Sequence, residues 1–520
     1  MAQRSLNRTI IQSTGIVMAS VLLSRVLGFA REWTVAHQIG SNAVTDAYYA
    51  AFTLPDFLNY LVAGGSLSIT FIPVFTKFVA ENDEEEGWHV FSTVMTFMGL
   101  LVIALILVAE IFAPQLVSVI APGFGPVEKQ HVIFLTRLML PAQFCFYEGG
   151  ILTAVQYAKG EFIVPSLAPL IYNLAIILGG VMLASRIGIT GFSVGVLVGA
   201  LAGNLLLQIY GAHLVGAKFV FALNLRHPGF RLFLKLAIPI MLALSLSFTD
   251  DWIIRWFGSY LVPASITWLT YAKNLMRVPL GVVGQAIGVA SFPILAQLYS
   301  EGKFKELNRV LNDTFKGLIL LLVPISALTI AQSPYVVHLV FSHTRLHAAD
   351  LQATAATLAL FSIGMFAWGA QNLLSRGFYS TRDTWTPAIV GTAFTIADIP
   401  LYWWLARRAQ HLGLAMASSI GIILFTIVLT VLLVRRTKNH EIRNLLLFFV
   451  KVCSASIFAA VGVFELAKWL SRRIRWERML GSFEILLIGT AIGVLLFVAI
   501  LKLLRTRELD AYVSKLSARV

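Results

Sequence analysis

Residues 485–501 read ILLIGTAIGVLLFVAIL, and this uncharged stretch decides the fold class. With its flanks it reaches the roughly 20 apolar residues that a bilayer-spanning helix needs. Comparable stretches recur from Ile10 to Leu504, and 58% of the 520 residues are hydrophobic while only 13% are charged. A water-soluble globule cannot bury so much apolar surface, so lipid must be the solvent of this chain. The sequence therefore predicts an all-α, polytopic membrane protein.

Glycine, proline and charge clusters divide the chain into about 14 transmembrane helices. The first carries Arg25 and Arg31 and is expected to be retained rather than removed as a signal peptide. Pro55 and Pro279 lie in long segments where a bend is expected. The predicted segments lie near 10–36, 43–79, 88–120, 130–158, 162–185, 190–215, 231–258, 264–300, 306–341, 348–380, 384–406, 411–434, 444–470 and 479–504.

The basic residues concentrate in alternate loops between these segments. Net charge is +14, but the cations are scattered, so membrane topology explains them better than nucleic-acid binding. With the N-terminus in the cytoplasm, the basic groups at 218–235, 303–309 and 435–443 all lie inside. This pattern predicts a multi-pass membrane protein with both termini cytoplasmic. One loop, from Arg472 to Arg478, departs from the rule because its arginines fall outside.

The two halves of the chain resemble each other at a nearly fixed offset. Tyr49 recurs as Tyr271, Pro165 as Pro387 and Gly191 as Gly413, each 222 residues on, and two further proline pairs recur at 220. We infer an N-terminal six-helix lobe at 1–220, a second six-helix lobe at 221–440, and two additional helices with a cytoplasmic tail at 441–520. Because each repeat holds an even number of helices, the lobes should be pseudo-symmetric about an axis along the membrane normal, with a substrate between them.

Charged side chains within the predicted spans are the candidate functional residues, because each costs about 2.5–3.5 kcal/mol near the bilayer centre. Cations from both lobes would bind an anion, and arginine offers a diphosphate a bidentate grip. A structural alternative stays open, in which Arg31 and Glu32 lie at the interface, Arg25 pairs with Asp46 and Lys273 snorkels. The candidates for substrate binding are Arg25, Arg31, Asp46, Lys273, Asn274 and Arg277.

Three acidic residues are candidates for a coupling ion. Asp250, Asp251 and Asp398 lie in predicted spans of the second lobe, and carboxylates inside transporters often bind Na⁺ or a proton. Structural pairing with Arg255 is the alternative. The sequence carries no phosphate-binding glycine loop, no metal-binding histidine pair and no nucleophile elbow, so we expect no catalytic residue, no metal and no cofactor.

Several motifs resemble the lipid II flippases, the MurJ/MviN family of the multidrug/oligosaccharidyl-lipid/polysaccharide exporter superfamily. They are SRVLGFARE at 24–32, TDA at 45–47, LP at 54–55, APGF at 121–124, and a later motif that joins GFYS at 377–380 to Asp383 and to TP at 386–387. Residues 165–173 match as well. The likeness covers essentially the whole chain.

The resemblance implies a V-shaped central cavity with a cationic pocket, a groove beside the last two helices for the lipid tail, and alternating access. Arg25, Arg31 and Asp46 match family positions tied to function. It also implies a lipid II or similar undecaprenyl-diphosphate partner, dependence on a cation or the membrane potential, and contact with the cell-wall synthesis machinery.

The sequence departs from the family pattern at four positions. Asn59 and Tyr60 stand where basic residues are usual, Gly64 replaces an acid, and Asn274 stands where an arginine is expected, one position after Lys273. A flippase for another polyprenyl-diphosphate glycan therefore remains an alternative. Others are a drug or cation exporter of the same superfamily, a membrane-embedded glycosyl- or acyltransferase, and a non-transporting scaffold.

Overall fold

The computed structural model describes residues 2–62, 66–245, 249–381, 383–439 and 441–506. Within these ranges every regular element is a helix and no strand occurs, which confirms the all-α prediction. Nine helical stretches in the same ranges are long and apolar enough to cross a bilayer. The count of fourteen stays a prediction. Gly64 and the tail beyond 506 lie outside the described residues.

The chain divides into two compact units, Met1–Ile266 and Thr267–Val520. This boundary follows from packing, and the lobe division at 220, which follows from the repeat, stays a prediction. A short π-helix at Ala200–Leu206 joins two helices of the first unit. The helices of the first unit are α1 (Ala2–Gln38), α2 (Ala43–Ala51), α3 (Thr53–Val62), α4 (Ser66–Ala80), α5 (Glu84–Ile111), α6 (Ala113–Ile120), α7 (Pro126–Met139), α8 (Ala142–Ala158), α9 (Ile163–Ile187), α10 (Thr190–Gly199), α11 (Leu207–Leu214), α12 (Pro228–Ser245) and α13 (Thr249–Gly258).

The second unit consists of longer helices. They are α14 (Ser265–Ser300), α15 (Phe304–Phe341), α16 (Ala348–Ser380), α17 (Trp385–Thr437), α18 (Ile442–Ser471) and α19 (Met479–Leu503). Two residues inside α17, Ala409 and Gln410, are not helical. They separate the two segments that the sequence predicts at 384–406 and 411–434.

Several predicted segments are interrupted. The one at 43–79 breaks at Phe52, three residues before Pro55, so the bend predicted there lies at the junction of α2 and α3. Another break, at Phe112, separates α5 from α6. Apolar side chains run through both junctions, and hydropathy therefore gives no sign of them.

The last helix, α19, has one face packed against other helices and another face that is exposed. Gly489, Gly493 and Phe497 recur every four residues and are buried, and the two glycines lie against Leu328, Gln332 and Val463 of α15 and α18. Small residues let membrane helices approach closely. Leu495, on another face, is 69% exposed. Leu480, Leu487 and Leu503 of the same helix are exposed as well. A helix that buries one face and exposes so many apolar side chains on the others agrees with a membrane span.

Gln410 adopts a backbone conformation that glycine prefers, with φ 52° and ψ −134°. Such conformations cost a non-glycine residue on the order of 1–3 kcal/mol. The side chain is exposed, so Gln410→Gly is expected to raise the free energy of unfolding by about 1 kcal/mol, measured by thermal unfolding in detergent. Ala409→Gly is the control, because φ −132° suits alanine, and it should lower stability by adding backbone freedom to the unfolded chain. Equal shifts for both variants would contradict the assignment.

Candidate functional site

One face of α1 carries polar residues toward α9. Ser24, Gly28 and Arg31 recur at helical spacing on that face. Asn173 of α9 donates through Nδ2 to Ser24 Oγ at 3.4 Å and accepts from Arg31 Nη1 at 3.3 Å. Gly28 lies beside this amide, and a Cβ there would make an ordinary van der Waals contact of 3.9 Å with Asn173 Oδ1. The signature at 24–32 is therefore a polar helix contact inside the first unit.

Arg31 is held by a buried acid. Its Nη2 donates to Glu32 Oε1 at 2.7 Å, and its Nε donates to the same oxygen at 3.3 Å. Tyr49 of α2 donates its hydroxyl to Glu32 Oε2 at 2.6 Å. The side chain of Glu32 is only 6% exposed, whereas that of Arg31 is 26% exposed. The arrangement fixes the guanidinium, while the Arg31 side chain stays partly exposed.

The other two candidates in this part of the chain lie in different surroundings. α1 is helical through Gly28 without a break. Arg25, six residues before Arg31, is exposed, so the two arginines lie on different sides of the helix. Asp46 is 1% exposed in the first turn of α2, whose N-terminus Asn42 caps with its side chain. The burial of Asp46 agrees with either a structural or a functional role.

A second ion pair lies between α3 and α13. Arg255, the expected partner of Asp250 and Asp251, donates through Nη1 to Asp56 Oδ2 at 3.1 Å and to Thr53 Oγ1 at 3.2 Å. Asp250 and Asp251 are half-buried in the first turn of α13. Arg255 thus pairs with Asp56 of α3.

In the second unit, Lys273 of α14 is 5% exposed and lies among aromatic rings. Its Nζ is 5.5 Å from the ring centre of Trp368 and 5.8 Å from that of Phe361, both on α16. Within about 6 Å an aromatic face attracts a cation. A buried lysine does not agree with the snorkelling alternative. Of its neighbours on α14, Asn274 is half-buried and Arg277 is exposed.

Asp398 lies within α17, whose two segments, before and after the break at Ala409 and Gln410, pack against each other as an antiparallel hairpin. Its carboxylate rests against Gly421, and a Cβ at that position would overlap the Oδ2 atom. The glycine therefore makes room for the acid. On α3, the unusual Asn59 and Tyr60 are both half-buried.

Sequence reasoning overlooked Glu148. It is 4% exposed in α8, inside the predicted span at 130–158. The rule that selected the other intramembrane charges selects it as well, so the signal was present in the sequence. The roles of Asn173 and Tyr49 as partners of the Arg31 pair, in contrast, depend on helix packing.

Asp383, part of the motif at 377–387, stabilises the turn between α16 and α17. It accepts hydrogen bonds from the backbone N–H and hydroxyl of Thr386 at 2.9 and 2.7 Å, and Arg436 lies 3.0 Å away. Burial opposes its ionisation, but the hydrogen bonds and the charge of Arg436 outweigh it and hold the pKa of Asp383 below its ordinary value. The motif thus has a structural role.

This lowered pKa predicts how stability depends on pH. A carboxylate with a depressed pKa in the folded state contributes stability that is full above its unfolded value, about 3.9, and is lost as pH falls through the folded value. Asp383→Asn is expected to lower the unfolding free energy at neutral pH by about 1 kcal/mol and to abolish this acid-dependent loss. Thermal unfolding between neutral and acidic pH measures both effects. If the unfolding free energy of the variant still falls at acidic pH as that of the wild type does, the assignment is contradicted.

Residues 35–483 match the family described as "Lipid II flippase MurJ". The lipid II flippase MurJ of Burkholderia cenocepacia is 26% identical over 472 residues, which cover 89% of this chain and 90% of that protein. The probable lipid II flippase MurJ of Thermotoga maritima is 26% identical over 506 residues, covering 97% and 98%.

Two solved structures share the fold. One, described as lipid II flippase MurJ in an inward closed conformation, has a TM-score of 0.79 at 22% identity and covers 95% of this chain and 99% of its own. An inward-facing multidrug resistance MATE family transporter of the MOP superfamily has a TM-score of 0.66 at 14% identity, covering 81% and 98%. At these identities the structures establish the fold alone, whereas the family match extends over most of the sequence, and the chain belongs to the lipid II flippase MurJ family.

Proposed function

We propose that this protein is a flippase that moves the polyprenyl-diphosphate-linked peptidoglycan precursor lipid II from the inner to the outer leaflet of the bacterial inner membrane by alternating access. Family membership and the names of its relatives support a transporter rather than an enzyme. The observation that carries the proposal is Arg31, whose guanidinium is fixed by a buried acid and whose side chain is still 26% exposed.

Arg31 is suited to take an anion from water into the membrane. A guanidinium has five N–H donors, and each of its three nitrogens already donates to Glu32 or Asn173. One N–H on each terminal nitrogen remains to bind a diphosphate oxygen. While no anion is bound, Glu32 balances the charge, and this avoids an isolated ion in a low-dielectric setting. Tyr49 and Asn173 keep the pair in one orientation.

The further substrate-binding residues in the proposal are Arg25 and Asp46 of the first unit and Lys273, Asn274 and Arg277 of the second. Exposed Arg25 and Arg277 can meet the headgroup directly. Lys273, held by Trp368 and Phe361, supplies a fixed positive charge. A diphosphate transferred without such neutralisation would meet a prohibitive desolvation penalty, whereas its polyprenyl tail remains in lipid throughout.

The driving force in this proposal is a Na⁺ or proton gradient, or the membrane potential acting on the charges that move. Asp250, Asp251 and Asp398 are its candidate ion ligands. Glycine at 421 allows the carboxylate of Asp398 to pack closely against its own helix hairpin, which supports a built site there. Flipping measured with Na⁺ gradients, proton gradients and potential imposed separately identifies the driving force.

We also propose that both termini are cytoplasmic and that the protein works beside the cell-wall synthesis machinery. The alternation of basic loops supports the orientation. Single-cysteine labelling at either end from outside intact cells would contradict it. Cys145 and Cys453 are replaced first so that only the introduced thiol reacts.

The substitutions at Asn59, Tyr60 and Asn274 favour one alternative, a flippase for a different glycan on the same lipid carrier. A drug or cation exporter of the superfamily is the other. The purified full-length protein in proteoliposomes distinguishes them when it is offered fluorescent lipid II, a second fluorescent undecaprenyl-diphosphate glycan and a cationic dye. Movement of lipid II supports the proposal, while movement of the second glycan alone, or of the dye alone, overturns it.

Charge reversal gives the matched test in the same assay. Arg25→Glu is expected to reduce lipid II movement at least tenfold, because the variant repels the diphosphate that Arg25 attracts. Arg345→Glu reverses an arginine that is also exposed, in the loop between α15 and α16, and should leave movement unchanged. Equal activity in the two variants would remove Arg25 from the binding site and favour the scaffold alternative.

A further inference from the structure

Glu148 is a buried acid that the proposed binding residues do not use. It is 4% exposed in α8, and its Oε1 has neither accessible surface nor a hydrogen-bond partner among the residues that the structure describes. The side chain lies against Gly99 of α5, where a Cβ would come within 2.6 Å of Oε1. Thr96, one turn earlier on the same helix, has a hydroxyl that is likewise buried and without a partner in the described ranges.

No cation in the described part of the chain balances Glu148. The helices packed against α8 are α3, α4, α5, α11 and the π-helix, and α9 contacts it through the ring of Tyr172 against Phe146. The charged residue of α9, Arg186, is exposed. Their charged groups are paired elsewhere or exposed, namely Asp56 with Arg255, Glu84 with Lys159, Glu86 with His227, Glu110 with Arg137, and the exposed Lys77, Glu85, His89 and His213. The remaining titratable groups nearby are Cys145, Tyr147 and Tyr157 of α8, Tyr60 of α3 and Tyr210 of α11.

An ionised carboxylate in such a place would lose its hydration and gain nothing in return, so a buried acid without a counter-ion binds a proton instead. We propose that Glu148 is a proton-binding site of the first unit, occupied in this conformation and released when α5 and α8 separate enough to admit water. The proton transfers between the carboxylate oxygen and water, and no other group is needed.

The adjacent residue supports a conformational role for this part of α8. Gly149 lies so close to the π-helix that a Cβ would overlap the carbonyl oxygen of Asn204. π-helical segments interrupt α-helices and often mark functional sites. Since a ligand favours the conformation that binds it better, a proton on Glu148 favours the closed packing of α5 and α8. Its relevance to transport rests on the proposed flippase function.

Infrared spectroscopy of the full-length protein in lipid nanodiscs tests the proposal. A protonated carboxyl absorbs at a C=O frequency that an ionised one lacks and that shifts in D₂O. At neutral pH the wild type should show such a band and Glu148→Gln should lose it, while Glu110→Gln, which removes the α5 acid paired with Arg137, should keep it. A band that survives in Glu148→Gln, or is absent from the wild type, overturns the proposal.

Two further measurements separate loss of the proton from loss of the fold. Glutamine matches the shape of the protonated acid, so Glu148→Gln should fold, and Glu148→Asp should shift the band rather than remove it. The thermal midpoint of the wild type should fall as pH rises from the ordinary pKa of a glutamate, about 4.3, to the pH at which the band vanishes, and Glu148→Gln should lack that fall. Because none of these readouts needs a substrate, a protein that shows the band but moves no lipid II contradicts the proposed function alone.

Discussion

Replacing Arg31 with alanine is expected to lower the free energy of unfolding by about 3–5 kcal/mol, which is the loss typical of breaking one partner of a buried ion pair. The reason is Glu32, which is 6% exposed and would lose its counter-ion, so that the Tyr49 hydroxyl is its remaining described partner. Thermal and denaturant unfolding in a mild detergent measures the loss. Lipid II movement by the same variant is expected to be abolished.

A double-mutant cycle separates the pair from its surroundings. Arg31→Ala with Glu32→Gln should be more stable than Arg31→Ala alone, because the buried acid left without its counter-ion has been replaced by a neutral amide. Its lipid II movement should still be lost, because the guanidinium is absent. Arg31→Lys keeps the charge but not the planar set of donors, and intermediate activity is expected. Strictly additive stability losses would show that Arg31 and Glu32 do not interact.

Gly149→Ala is expected to destabilise the first unit by at least about 3 kcal/mol, the upper end of the usual overpacking penalty. The added methyl group would overlap the carbonyl oxygen of Asn204 in the π-helix. A backbone atom cannot rotate away as a side chain can, so α8 and the π-helix must separate. The yield of monodisperse protein and its unfolding midpoint measure the effect.

The control for this prediction is Gly15→Ala in α1. Gly15 is exposed and an added Cβ meets nothing within 4 Å, so its stability should be unchanged or higher by up to about 1 kcal/mol through helix propensity. If Gly149→Ala behaves like Gly15→Ala, the close approach of α8 to the π-helix is wrong.

Much of the fold could be predicted from the sequence, because an apolar stretch of 20 residues has few alternatives to a membrane-spanning helix. The breaks were harder to find. Phe52 and Phe112 end helices within apolar runs, where hydropathy does not change. The π-helix at Ala200–Leu206 depends on the close approach of Gly149, a contact between residues far apart in sequence.

The candidate site likewise contains some residues that the sequence identifies and others that only helix packing identifies. Arg31 could be found because charge is expensive in a bilayer, and it does lie at a built polar contact. Its partner Asn173 lies 142 residues away, and only helix packing identifies it. Lys273 was expected as a cation, but its aromatic neighbours Phe361 and Trp368 follow from the packing of α14 on α16.

The polar face of α1 has a consequence for biosynthesis. Arg31 meets Asn173 only after the ribosome has added 142 further residues, which at typical elongation rates takes roughly 7 to 30 seconds. During that interval the nascent helix holds its arginine and Ser24 without the amide that later satisfies them. Until α9 has been synthesised and packs against α1, these polar groups must therefore find their hydrogen-bonding partners in the translocation machinery or in the water that it admits.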